Sequence, residues 1–221
     1  VFMDFLSTSP KYKHWTNIMV VLLGTGMRIG ECTGLTWQSC KFKTDEIIVD
    51  HTLNYRQNSN GHCQNYIEFA TKTKAGQRSI PMYDEVRAAL LDERQRQENA
   101  GTAGTVIDGL SDWVFTNRYG TVFKPKSINA AITRICNAYN EEEQKAAKAE
   151  GREPFLLPHF TCHQLRHTFC TRLCEVEPRP KIVQAIMGHA KIETTMDVYA
   201  EVEERAKKEA AVRVQGVIFI K

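Results

Sequence analysis

Residues 163–174, HQLRHTFCTRLC, gather two histidines, two arginines and two cysteines into twelve positions. If the stretch is helical, His163, His167, Cys170 and Cys174 recur at i, i+4, i+7 and i+11 and share one face. Imidazoles and thiols are good zinc ligands, but structural zinc sites draw ligand pairs from two elements, and no Cys-x-x-Cys pair is available to complete one. Cysteine also packs as a small hydrophobe. With Leu165, Phe169 and Leu173 beside them, both thiols are expected in a core, and His167 is expected there too, bonded to a backbone carbonyl. His163 and Arg166 stand apart from this. At i and i+3 they can reach one point in space. Thr161 is placed to cap the helix, so free N–H groups and the positive dipole end lie close by. A cation, an imidazole and a helix start suit a phosphate.

Three further stretches carry chemistry. In GTGMRIGE, residues 24–31, Arg28 stands among Gly24, Gly26 and Gly30, with Glu31 three positions on to hold its guanidinium. Taken alone, Arg28 reads equally as a snorkelling surface arginine. In TKTKAGQRSIP, residues 71–81, Lys72, Lys74 and Arg78 flank a glycine bend and read by themselves as a solvated hairpin. In MGHAKIETTMDVY, residues 187–199, Gly188-His189 marks a helix end, Thr194 and Thr195 the next start, and Tyr199 a position that is usually core.

Elements that would position these groups follow from periodicity. Residues 11–23 carry apolar side chains at helical spacing, and a second helix runs through RIGECTGLTW with Leu35 and Trp37 facing a core. EIIVDHT (46–52) and NYIEFA (65–70) are rich in β-formers and separated by the turn signal NSNGH, which predicts a hairpin; the cationic stretch ending at Ile80-Pro81 adds a third strand. Residues 84–97 are amphipathic with Val86, Ala89 and Leu90 inward, and residues 127–139 place Ile128, Ile132, Ile135 and Tyr139 on one stripe. WVFTN (113–117) is a short apolar piece, and residues 140–153 a charged helix end or loop. Three helices follow, over about 162–175, 179–187 and 192–211. The expected class is α+β, mostly α-helical, with one small three-stranded antiparallel sheet.

The chain has 221 residues, 42% of them hydrophobic, a net charge of +3 and a pI near 8.4. That suffices for a real core and permits nucleic acid as a partner without demanding it. Seven cysteines without disulfide spacing read as reduced thiols of a cytosolic protein. No signal peptide or bilayer-length apolar run occurs. Because the chain opens at Val1 almost directly into helical sequence, it is expected to be part of a longer protein whose N-terminal portion precedes it.

Taken singly these features are weak, but their order is specific. TGMRIGE, TKTKAGQRSIP, HQLRHTF and GHAKIETTMDVY together resemble the catalytic domain of the tyrosine recombinases (phage-type integrases) over residues 11–211. PHFTCHQLRHTFCTRLCE and MGHAKIETTMDVYAE are most similar to integrases of conjugative transposons. The resemblance implies a DNA breaking-and-rejoining fold over residues 1–213, with N-terminal DNA-binding domains lying outside this chain. It implies strand cleavage and rejoining through a 3′-phosphotyrosine, with no metal, ATP or other cofactor. Arg28 and Arg166 would clamp the phosphate, His163 would act as general base, His189 would buttress the phosphate, and Tyr199 would be the nucleophile. Lys72 would be the general acid, with Lys74 as the alternative, and Glu31 would orient an arginine.

Double-stranded DNA at transposon ends and target sites is the implied partner, bound in a tetrameric assembly in the bacterial cytoplasm, with accessory DNA-bending or directionality proteins and no membrane. Lys11, Lys13, Lys41, Lys43, Arg118 and Lys124 are candidate phosphate contacts by charge alone. Residues 214–221 carry the apolar run VIFI at 217–220. It reads either as a strand on its own domain or, as the resemblance favours, as a tail docking on a neighbouring protomer. Rival functions are a type IB topoisomerase, an inactive DNA-binding protein of the same fold, and a zinc module built on residues 163–174.

Overall fold

The computed structural model describes residues 1–57, 63–69, 77–101 and 104–218, with side chains to residue 214 except at Gln57. Eight helices and two small sheets occur among them: α1 (Phe2–Thr8), α2 (Thr16–Thr25), α3 (Ile29–Thr33), β1 (Cys40–Lys41), β2 (Glu46–Val49), β3 (His51–Gln57), β4 (Cys63–Phe69), β5 (Arg78–Pro81), α4 (Asp84–Ala100), α5 (Pro125–Glu150), α6 (Cys162–Val176), α7 (Pro180–Met187) and α8 (Glu193–Ile218).

α2 explains the main core. Its sequence TNIMVVLLGT is apolar on all sides, which in a folded chain means a helix surrounded by others. It packs against α4 and α6. Ile18, Met19, Val21 and Leu22 meet Val86 and Leu90 of α4, Ile128, Ile132 and Ile135 of α5, and Leu165 of α6 in one cluster. The stripes expected on α4 and α5 face this core, except that Tyr139 is only half-buried. Val114 and Phe115 of the short WVFTN piece fill it from the side.

The sheet differs from expectation. Residues 46–52 are not one strand. They break at Asp50: β2 pairs with β1 and β5, while β3 pairs with β4 as a separate two-stranded ribbon. The break is held by His51, whose ring is buried, with Nδ1 2.6 Å from the Asp50 carboxylate and Nε2 2.6 Å from the Gly34 carbonyl. Ile47 on β2 then enters the main core, and Leu53 on β3 enters a second one with Ile67 and Trp113. Residues 140–150 simply continue α5. Their start is tied to the following segment by Asn140, whose side chain bonds both the carbonyl and the N–H of Leu157.

The last three helices lie where the periodicity puts them, but α8 is longer. Its backbone stays helical to Ile218, so the apolar C-terminal run begins as helix rather than as strand. Residues 219–221 lie outside the described residues. No helix among the described residues is long and apolar enough to cross a membrane.

Candidate active site

α7 ends at Gly188, which takes the left-handed conformation at φ +63° and stops the helix, leaving the last carbonyls of the turn without helical partners. Three arginines from three distant elements supply them. Arg78 donates from Nε to the Ile186 carbonyl at 2.9 Å, Arg166 from Nη2 to Met187 at 2.6 Å, and Arg28 from Nη2 to Gly188 at 3.0 Å. The negative end of the helix dipole adds to the attraction. One short turn therefore gathers Arg28, Arg78 and Arg166 and projects His189 beside them.

Glu31 is the counter-charge. It sits in the first turn of α3, 5% exposed, and accepts the Arg28 N–H at 2.7 Å. Its Oε1 accepts from Arg28 Nη1 at 2.9 Å and from Arg78 Nη1 at 2.9 Å; its Oε2 accepts from Arg78 Nη2 at 2.7 Å. Burial alone would raise this carboxyl, but the Arg78 hydrogen bonds and the charges of Arg78 and Arg28 outweigh it and hold it below the ordinary glutamate range. One carboxylate against three guanidiniums leaves a surplus of positive charge.

α6 positions Arg166 and His163. Thr161 caps the helix as expected: its hydroxyl accepts from the His163 N–H at 3.3 Å while the Gln164 side chain returns to the Thr161 N–H at 2.9 Å. Such a cap contributes about 1 kcal/mol. One turn on, Arg166 points inward, is buried, and donates a second bond to the Gly26 carbonyl at 2.5 Å. Burial, with the neighbouring Arg28 charge, lowers its guanidinium to about 10, so it remains charged at neutral pH. His163 is exposed at the helix start.

His189 is half-buried, and its Nδ1 lies 3.0 Å from the hydroxyl of the buried Thr195 at the start of α8. Burial and the charges of Arg166, Arg28 and Arg78 pull its pKa down to about 4. The ring is neutral at physiological pH.

Tyr199 lies on α8, packed against the small core of Cys170, Cys174, Val183, Met187 and Val198. Its phenol donates to the Glu177 carbonyl in the α6–α7 link, and is bonded neither to His163 nor to an arginine. Burial, followed by the Cys174 thiol and the Glu177 carboxylate, raises the phenol above its ordinary range. Both thiols of residues 163–174 are thus core groups, and burial pushes Cys174 up to about 12. His167 departs from its expected place: it is exposed, 3.3 Å from the Thr171 hydroxyl and 3.6 Å from Glu201, because its side of α6 faces α8's polar edge rather than the core.

The structure therefore joins Arg28, Glu31, Arg166 and His189, and sets His163 and Tyr199 on the flanking helices. Lys72 and Lys74 lie outside the described residues. Arg78 is the group that sequence reasoning left in a solvated hairpin. Its signal was strand alternation: at i and i+2 from the buried Ile80, it shares the inward face of β5. The six candidate phosphate contacts are all exposed. Three of them already meet aromatic rings: Lys11 over Tyr12, Lys124 with Nζ 3.0 Å from the Tyr55 hydroxyl, and Arg118 stacked on Tyr119.

Comparison with known proteins decides the family. The sequence profile of the phage integrase family matches residues 1–205. The chain belongs to that family, the tyrosine recombinases. The transposase of transposon Tn916 from Enterococcus faecalis is 34% identical over 196 residues, 89% of this chain and 44% of that protein. A XerC-like tyrosine recombinase from Caldanaerobacter subterraneus is 26% identical over 87% of the chain and 47% of its own length. Among solved structures, the Tn1549 transposon integrase in complex with transposon right end DNA superposes with a TM-score of 0.77 at 32% identity, covering 95% of this chain and 62% of that one. The same integrase has been solved with a circular intermediate DNA. The chain thus spans about half the length of the curated relatives it matches.

Proposed function

We propose that the chain is the catalytic part of a site-specific recombinase of a conjugative transposon, which cuts and rejoins DNA strands through a 3′-phosphotyrosine. The observation that carries this reading is the meeting of Arg28 and Arg166 at one turn with excess positive charge. A phosphodiester under attack accumulates charge on its non-bridging oxygens, and fixed guanidinium forks aimed at them stabilise that charge. The relatives' identities and the DNA complexes of the Tn1549 integrase support it.

In this mechanism the Tyr199 oxygen forms a bond to the scissile phosphorus and the bond to the 5′-oxygen breaks. The phenol leaves its Glu177 acceptor and gives its proton to His163, since a backbone carbonyl cannot take one. The leaving oxygen receives a proton from Lys72, or from Lys74. With Nδ1 accepting from Thr195, His189 presents Nε2–H to a phosphate oxygen. The phosphotyrosine conserves the bond for rejoining, so no ATP is consumed. Glu31 holds Arg28 in place.

The same reading covers the partners: transposon-end and target DNA, bound by the exposed cations Lys11, Lys13, Lys41, Lys43, Arg118 and Lys124. It includes a tetramer on DNA in the bacterial cytoplasm, with residues 214–221 docking on a neighbour and accessory proteins setting direction. The test is a nicked suicide duplex carrying the ends of the chain's own element. The wild type is expected to form an adduct that survives denaturing electrophoresis and persists in EDTA. Adduct formation that stops when divalent ions are removed contradicts the reading.

A further inference from the structure

We infer that Arg78 is a positioning residue for catalysis: it occupies Glu31 so that the charge of Arg28 remains available to the phosphate. The inference rests on the recombinase reading above. Glu31 accepts from two guanidiniums of very different placement. The Arg78 side chain is 6% exposed and binds both carboxylate oxygens, whereas the Arg28 side chain is 48% exposed and binds only Oε1. The buried arginine therefore takes the bidentate position, and the open one keeps donors free toward solvent.

Without Arg78, both oxygens of Glu31 become available to Arg28. A fork-to-fork pair would draw the guanidinium off the Gly188 carbonyl and spend its charge on a fixed carboxylate instead of a ligand. Arg78 also ties this charge pair to the turn that carries His189, through its bond to Ile186. The packing leaves it no slack, since a Cβ on Gly188 would lie 2.9 Å from Arg78 Nη1. β5 fixes the register from behind, with Arg78 paired to Val49.

The experiment compares Arg78→Gln with wild type on two nicked suicide duplexes, one with the natural scissile phosphodiester and one with a neutral methylphosphonate there. The methylphosphonate develops less charge in the transition state and so depends less on Arg28. On the phosphodiester, Arg78→Gln is expected to slow adduct formation about 100-fold, the size of effect that a misplaced clamp produces. On the methylphosphonate the loss is expected to stay within about threefold, because less charge needs stabilising. Arg78→Lys keeps the charge but cannot span both Glu31 oxygens and Ile186; it should show the same split more weakly. If Arg78→Gln does not fold, the comparison is read on Arg78→Lys. Equal losses on both substrates, or none on the phosphodiester, overturn the inference. A wild type that forms no adduct on either duplex overturns the recombinase reading and this role with it.

Discussion

Arg28 and Arg166, far apart in the chain, donate to the carbonyls of adjacent residues, Gly188 and Met187. The relationship makes one helix end the assembly point of the site. Whatever displaces that turn displaces both guanidiniums together.

Arg166→Lys removes the fork while keeping a charge. A single ammonium cannot serve the Gly26 and Met187 carbonyls and a phosphate oxygen at once. Adduct formation on a suicide duplex should fall by about 100- to 1000-fold, the usual loss of one transition-state donor. Duplex affinity, measured by filter binding at fixed salt, should change far less, because it is spread over many phosphate contacts.

Glu31→Gln leaves the buried Arg78 guanidinium without its counter-charge. Breaking a buried pair from one side costs about 3–5 kcal/mol. Urea denaturation should show a loss of that order. An unchanged midpoint would mean that the pair stores no stability.

His189 sets a pH dependence. Its folded pKa, about 4, lies below its ordinary 6.5, so between those values the unfolded chain binds the proton more readily. Stability should therefore decline as pH falls from 6.5 toward 4, and be independent of His189 above 6.5. His189→Gln should flatten that part of the melting-temperature profile. A further decline, below the ordinary glutamate value of 4.5, belongs to carboxylates such as Glu31, whose folded pKa is depressed and whose stabilisation is lost there.

Gly188→Ala and Gly151→Ala both place a side chain at positive φ, +63° and +69°, but only the first meets a neighbour, since a Cβ at Gly151 has nothing within 4 Å. Each should lose about 1–2 kcal/mol to backbone strain. Gly188→Ala should lose more, and should also slow adduct formation, because the new methyl pushes on Arg78.

Much of this was legible in the sequence, for identifiable reasons. α6, α7 and α8 follow from strong periodicity, the Thr161 cap and the glycine stop at 188. Of the five residues whose order suggested one site, Arg28, Arg166 and His189 meet at the Gly188 turn, whereas His163 and Tyr199 stand on the flanking helices. The strand break at Asp50 was not legible, because β-forming residues continue past it into Thr52 and Leu53 and only the bonds of His51 mark the separation of β2 from β3. Arg78 was hidden by its cationic neighbours, since charge in a hairpin reads as solvated until a buried carboxylate is found opposite. The engagement of Tyr199 with Glu177 depends on how α8 packs against the α6–α7 link, which no local pattern encodes.

The most direct measurement is the site of covalent attachment. After reaction with a nicked suicide duplex, nuclease trimming and proteolysis, mass spectrometry should find a nucleotide 3′-phosphate on the peptide bearing Tyr199, and Tyr199→Phe should bind the duplex yet yield no adduct. Attachment at another residue, or an adduct that persists in Tyr199→Phe, would contradict the account.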